Sequence, residues 1–403
     1  MGIRRCLRNA AFAVLALAPG IASGQPVGEV LRLGVLTDMS GPFSDQVGRG
    51  SVVAAELAVE DFSRRGAPFR VVVVQADHQN RPDIGLAIAR RWVDVEGVAA
   101  IVDLPNSGVA LAVADLMRAR DRVALASSAM TSDLTGRACA PTTVQWVSDT
   151  WAQGAATAEA LAAEGLTRWA FLTVDYALGH ALERDAAAAL ARAGGSVASS
   201  ARHPLGAGDF ASPLVAAQAS GAQVLALANT GADAINAVKQ AREFGVTPGM
   251  RVAALFLQLS DVHALGLATA QGLRLAAPFY WDDGARARAF ADRFAARMDG
   301  RRPTEDHAGV YSATLAYLDA VAAARTVSGA AVVAAMRRAP IDDPLFGRVV
   351  IRRDGRAVHD LHLYEVKAPA ESRGAYDYYR RLATIPAERA FRPEAEGSCP
   401  LVR

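Results

Sequence analysis

The chain has 403 residues, with 43 Lys and Arg against 41 Asp and Glu, and 52% of its residues are hydrophobic. Three of the basic residues lie in the first eight positions, so the rest carries no basic excess or stripe, which argues against nucleic-acid binding. The length exceeds one typical domain, and two lobes are expected.

Arg4, Arg5 and Arg8 precede an apolar run from Ala10 to Ala18, and Ala22-Ser-Gly24 places small residues before Gln25. This reads as the charged region, apolar region and cleavage site of a signal peptide over 1–24. As a membrane anchor the run falls well short of the roughly 20 residues that span a bilayer. Pro19-Gly20 interrupts it, and Cys6 is too early to be a lipidated first residue. Export to the periplasm, without stable membrane insertion, is the expectation.

Leu31, Leu33, Val35 and Leu36 form an apolar run of strand length. Thr37-Asp-Met-Ser-Gly-Pro42 is a polar turn, and Val52, Ala55, Val59 and Phe62 make the stripe of a helix with one buried face. Phe69–Val74 reads as a strand buried on both faces. Asp83 is the expected N-cap of a helix striped by Ile84, Ile88, Trp92 and Val95. Val98–Val102, a helix from about Ser107 to Arg120, and Val123–Ala126 continue the alternation.

A second series follows, with a helix at Gln153–Glu164, a strand at Trp169–Val174, a helix at Ala177–Ala193 and a strand near Val197. Ser212-Pro213 is expected to open a helix. The strand Val224–Ala228, the helix Ala232–Phe244 and the strand Val252–Leu257 complete this run. Helices are then expected near Ala285–Met298, Gly309–Ala324 and Ala330–Arg338, and strands at Arg348–Arg352 and Val358–Val366. Strands separated by single helices imply parallel sheets of right-handed βαβ units, in an α/β chain of two similar lobes.

Catalytic signatures are missing. There is no Gly-x-Ser-x-Gly elbow, His-Glu-x-x-His, Cys-x-x-Cys or Gly-x-x-x-x-Gly-Lys loop. Gly48-Arg-Gly50 lacks the third glycine of a dinucleotide fingerprint. His359 and His362 are three apart in an expected strand and face opposite sides. Asp38 with Asp45, and Asp282 with Asp283, fit turns and caps better than paired catalytic acids. No enzymatic activity, cofactor or metal is expected. Cys139 and Cys399 remain once Cys6 leaves with the leader, and in an oxidising compartment they are expected to pair, the alternative being two free thiols. Such a long loop corresponds to about 4–5 kcal/mol in a chain-entropy model.

The polar groups that invite a ligand lie at strand ends. Leu104-Pro-Asn-Ser-Gly108 opens a helix whose amides and Ser107 hydroxyl suit a carboxylate. Ala126–Thr135 offers Ser127, Ser128 and Thr131 in the same way. Ordinary helix caps are the competing explanation for each loop.

Leu33–Phe62, Pro105–Ser107, Ser127–Thr135, Trp146–Gly154, Thr173–Tyr176, Asn229–Gly245 and His307–Asp319 together resemble type I periplasmic solute-binding proteins of ABC importers. The likeness is to the branched-chain amino-acid-binding (leucine-binding) family, and most to its aromatic-acid branch. It implies two lobes, each a mainly parallel sheet flanked by helices, joined by a three-segment hinge. The lobes would comprise 28–146 with 279–345, and 147–278 with 346–368, with a tail of 369–403 tied to the first lobe.

The resemblance also implies site residues. Ser107, Ser128 and Ala129 match positions that hold a ligand carboxylate, and Met130 stands where the amino-acid binders have Thr. Tyr176 resembles an aromatic that closes over the ligand, and Thr230 lies near another second-lobe contact. Asp38 and Phe43 would shape the wall. The family's ammonium-pairing acid has no clear counterpart, Asp261 being the nearest and out of register. A buried ammonium without such a partner is costly, so the expected guest is a small carboxylate with an apolar or aromatic body, or a hydrophobic amino acid. Phe279-Tyr-Trp281, Trp151 and Phe43 are available to pack it, the first three serving equally well as hinge or core. The implied partner is an inner-membrane ABC permease. The rival function is a ligand-sensing receptor that regulates a signalling partner.

Overall fold

The structure, a computed structural model, describes residues 26–246 and 249–402; the expected leader lies outside them. The first series comprises β1 (Val30–Thr37), α1 (Gly48–Arg64), β2 (Arg70–Asp77), α2 (Pro82–Asp94), β3 (Val98–Asp103), α3 (Ser107–Ala119), β4 (Val123–Ala126) and β5 (Thr143–Gln145). Its strands form one parallel sheet in the order β2-β1-β3-β4-β5. All six residues of β3 are buried, as a strand covered by helices on both faces must be. The order reverses between β1 and β3, and a crevice opens there at the carboxyl ends of the strands.

The second series comprises α4 (Thr150–Ala163), β6 (Arg168–Val174), α5 (Ala177–Arg192), β7 (Ser196–His203), α6 (Ala211–Ala219), β8 (Val224–Ala228), α7 (Gly231–Glu243), β9 (Arg251–Ala254), α8 (Leu259–Leu265), α9 (Leu267–Ala270) and β10 (Arg274–Ala277). Here β7-β6-β8-β9 form a parallel sheet. The chain returns to the first lobe through α10 (Ala285–Ala295), α11 (Glu305–Ala324) and α12 (Gly329–Met336), then a small antiparallel sheet of β11 (Ile341–Asp343), β12 (Gly347–Ile351) and β13 (Ala357–Val358). Finally β14 (Leu361–Val366) and β15 (Tyr379–Ile385) pair antiparallel beside β10, and α13 (Ala387–Ala390) follows. Two α/β lobes with parallel sheets flanked by helices are therefore present. Among the described residues no helix is long and apolar enough to cross a membrane.

Local differences from expectation have local causes. Helix α2 begins at Pro82 after Arg81, so Asp83 sits in its first turn and favours the helix dipole rather than capping it. Helix α4 begins at Thr150, ahead of the expected Gln153, because the Asp149 carboxylate accepts a hydrogen bond from Ala152 N at 2.9 Å. Helix α6 begins at Ala211, which places Ser212-Pro213 inside its first turn. Strand β9 ends at Ala254, short of the expected Leu257, and residues 255–257 join the core outside it. The strand expected over Val358–Val366 is interrupted at His359, whose Nε2 lies 3.0 Å from Trp146 O.

Packing also redistributes the carboxyl-terminal part. Phe346, Val349, Ile351 and Ala357 join the first-lobe core with Leu33, Val102, Trp146 and Tyr317. Tyr364, Val366 and Tyr379 join a second-lobe core with Leu172, Leu227 and Val262. Residues 346–358 thus pack with the first lobe, and β15, expected in a mere tail, extends the second. The chain then crosses back a fourth time, and Cys399 bonds to Cys139 with a Cα–Cα distance of 5.7 Å.

Candidate functional site

The crevice is walled on the first lobe by three loops. After β1, the buried Asp38 accepts hydrogen bonds from Gly41 N at 2.8 Å and Phe43 N at 3.0 Å, folding the turn onto itself. Asp38 therefore shapes the wall, and Phe43 is buried beside it. After β3, Asp103 and Leu104 adopt left-handed φ values of 84° and 63°, a costly conformation for residues other than glycine. Asp103 Oδ1 accepts from the Ser128 hydroxyl, while Oδ2 has no partner. Burial raises the Asp103 pKa to about 6.

The start of α3 is largely self-capped. The Asn106 side chain accepts from Gly108 N at 2.8 Å and Val109 N at 3.0 Å, which leaves the buried Ser107 hydroxyl unpartnered. After β4, Gln145 Nε2 holds the carbonyls of Ala129 and Thr131 at 2.8 and 3.1 Å, and Thr150 N holds that of Met130 at 2.8 Å. The amides of Ala129 and Met130 donate to no described protein atom. The buried Met130 side chain joins a second-lobe core that includes Ala155, Ala158 and Phe171.

The facing wall comes from helix starts on the second lobe. Tyr176, half-buried, precedes α5, and burial raises its pKa. Thr230 precedes α7, and its hydroxyl accepts from Gln46 Nε2 at 3.2 Å across the crevice. Gly231 has φ 59°, and a Cβ there would stand 3.2 Å from Pro42 O of the first lobe. At the start of α8, Asp261 Oδ2 accepts from Gln258 N at 2.9 Å. Both Asp261 oxygens also accept from Gln46 Nε2, at 3.0 and 2.9 Å. Gln258 Nε2 donates to Asp306 Oδ2 at 2.5 Å. At the other end, the hydroxyls of Ser132 and Thr150 donate to Asp185 at 2.5 and 2.6 Å. The two lobes are thus closed on each other through polar contacts.

Ser107, Ser128, Ala129, Asp38 and Phe43 lie on the first wall, and Tyr176 and Thr230 on the second. Asp261, expected out of register, is instead in the crevice, where burial raises its pKa to about 7. The aromatic wall is reduced. Phe279 packs edge-on to Phe290 at 6.1 Å, and the Tyr280 hydroxyl and Trp281 Nε1 both donate to Tyr376 O, at 2.7 and 2.8 Å. Phe279 belongs to the first-lobe core and Tyr280 to the second-lobe core, and Trp281 packs against both. Trp151 lies under Arg192, 5.7 Å away.

Sequence reasoning missed Gln46, Asp103, Gln258, Glu305 and Asp306. Glu305 and Asp306 begin α11 but are buried, and burial raises both pKa values, each also feeling the Asp261 carboxylate. The available signal was two adjacent acids opening a helix that is otherwise apolar nearly all round. No group of three or more His, Cys, Asp or Glu among the described residues is arranged to hold a metal ion. On one flank the closed lobes leave a groove of about 500 Å³ between Met39 and Arg49 on one side and Ser260 and His263 on the other.

The family model described as "Periplasmic binding protein" matches residues 30–374. A periplasmic binding protein from Burkholderia mallei is 41% identical, with 93% of this chain and 99% of that one covered and a TM-score of 0.89. A branched-chain amino acid ABC transporter periplasmic ligand-binding protein from Burkholderia xenovorans is 38% identical, covering 93% and 100%, with a TM-score of 0.82. A Leu/Ile/Val-binding protein homolog from Brucella melitensis is 32% identical over 112 residues, a match spanning 27% of this chain and 29% of that relative.

Proposed function

Because the chain belongs to the periplasmic binding protein family, we propose that it captures a small carboxylate-bearing solute by hinge closure and delivers it to an inner-membrane ABC permease. The observation that carries this reading is a crevice between two lobes, bridged by Gln46 to Thr230 and Asp261, and lined by buried polar groups that lack protein partners. Such groups are destabilising unless a guest satisfies them. The Ser107 hydroxyl and the amides of Ala129 and Met130 receive the carboxylate, and Tyr176 and Thr230 close from the other side. Closure is the signal, since the permease can favour the liganded shape.

The acids within the crevice revise the guest. A plain aromatic acid would add negative charge beside Asp103, Asp261, Glu305 and Asp306, whereas an amino acid brings a compensating ammonium. Amino acids are therefore favoured over benzoate-type acids. A thermal-shift screen of both classes tests this, the expected result being stabilisation by at least one amino acid. Stabilisation by benzoates alone would contradict the preference, and no shift with either class would contradict the capture reading. Ser107→Ala should weaken binding of the stabilising solute by roughly 1–3 kcal/mol, measured by calorimetry. Unchanged affinity would remove Ser107 from the site.

A further inference from the structure

Four buried acids gather about the first turn of α11, where the protein offers them hydroxyl and amide groups (Thr37, Ser51 and Ser128 to Asp103, Ser148 to Glu305, Gln46 to Asp261, Gln258 to Asp306) but no cation. Asp103, Asp261, Glu305 and Asp306 are each at least nine-tenths buried, and none forms a salt bridge with a described Arg, Lys or His. Asp306 feels the charges of Glu305, Asp103 and Asp261 together. Three of these acids keep an oxygen without a hydrogen bond: Asp103 Oδ2, Glu305 Oε1 and Asp306 Oδ1. The amide of Gln258, 2% exposed, touches Asp306 through Nε2 and leaves Oε1 unpartnered. All four unmet groups are acceptors, and the second lobe supplies Gln258 and Asp261 while α11 supplies Glu305 and Asp306.

We infer that this cluster is a subsite for a second positive group of the guest, a terminal amine or guanidinium on its body, beyond any ammonium beside its carboxylate. One ammonium offers three donors and one charge, too little for four buried acids and an amide oxygen. A guanidinium offers five donors in a planar fork matched to carboxylates. The inference rests on the capture reading and narrows the guest to a basic solute rather than one with a branched aliphatic or aromatic body. Burial raises the pKa of each of the four acids, so each takes up a proton more readily than an exposed carboxyl does. Asp38 and Asp45 on the first lobe and Tyr379 on the second also act on these groups, all adding negative charge or none. The neighbouring His307 is kept neutral by burial, its pKa lowered to about 4. A basic guest therefore displaces protons, and its binding should tighten as pH rises.

The test uses agmatine, which has the cationic body and no carboxylate, with arginine, leucine and benzoate alongside, by calorimetry on the full mature chain. Agmatine and arginine should bind, and binding should tighten roughly tenfold between about pH 6 and about pH 8 as one proton is displaced. Glu305→Gln with Asp306→Asn removes like-charge repulsion while retaining shape, so folding is preserved. It should weaken agmatine roughly 30-fold or more. Binding of leucine or benzoate without agmatine or arginine would overturn the subsite and leave the capture reading intact. Agmatine binding unaffected by the double substitution would overturn its location. No binding by any of the four would overturn this inference together with the guest it builds on.

Discussion

Breaking the Cys139–Cys399 bond is expected to lower the free energy of unfolding by about 5 kcal/mol. The bond closes a loop with a sequence separation of 260, and the entropy removed from the unfolded chain grows with the logarithm of that length. The native side is well prepared. Arg392 Nη2 donates to Ser132 O at 3.2 Å, and Arg352 Nη1 donates to Arg392 O at 2.7 Å, so hydrogen bonds as well as the disulfide seat the last segment against the first lobe. Ser132 also reaches Asp185 of the second lobe, so the staple stands beside one of the contacts that close the crevice. Urea unfolding of the oxidised protein and of the Cys139→Ser/Cys399→Ser variant measures the difference. A loss below about 1 kcal/mol would mean that the unfolded chain is not constrained by the bond as the loop length requires.

The next largest effect is expected at the buried pair of Arg356 and Asp149. Arg356 has no exposed surface, and its guanidinium lies 4.6 Å from the centroid of the Phe391 ring. Its Nη1 is 3.5 Å from Asp149 Oδ2, its Nε donates to Ala357 O, and its Nη2 has no partner. Burial lowers the Arg356 pKa to about 10, against the pull of Asp149. Asp149→Ala would leave a buried charge poorly compensated and would also remove the cap of α4. The expected cost is about 3–5 kcal/mol for the broken pair with about 1 kcal/mol more for the cap. Asp149→Ala/Arg356→Met should recover most of the first part, because the cost lies in the stranded charge rather than in the pair. Urea unfolding of both variants checks this, and a single-variant loss under about 1 kcal/mol would show that the pair is solvated in solution.

These residues mark how far the chain could be read without its fold. The alternation from Leu31 to Leu257 was legible because buried parallel strands and one-sided helices impose periods of their own. The loops holding Ser107 and Ser128 were legible as polar segments at strand ends. Helix starts shifted where a cap lay outside the periodic stretch, as with Asp149 before Trp151. The lobe membership of 346–358 was not legible, since Phe346, Val349 and Ile351 would suit either core by hydrophobicity. Nor was the partnership of Gln46 with Asp261, 215 residues apart. Glu305 and Asp306 had the opposite difficulty. Two acids in a first turn fit a helix dipole on any solvent-exposed helix, and only the fold, which brings Gln258 of the second lobe against Asp306, turns them into buried acids.

Small-angle scattering on the mature protein, alone and with saturating solute from the screen, tests hinge-closing capture most directly. If the lobes open in the empty protein and close on the guest through Gln46, Gln258 and Asp306, the radius of gyration falls on saturation. The liganded profile should then match that calculated for the closed arrangement described above. Identical profiles with and without a solute shown to bind would contradict capture by closure.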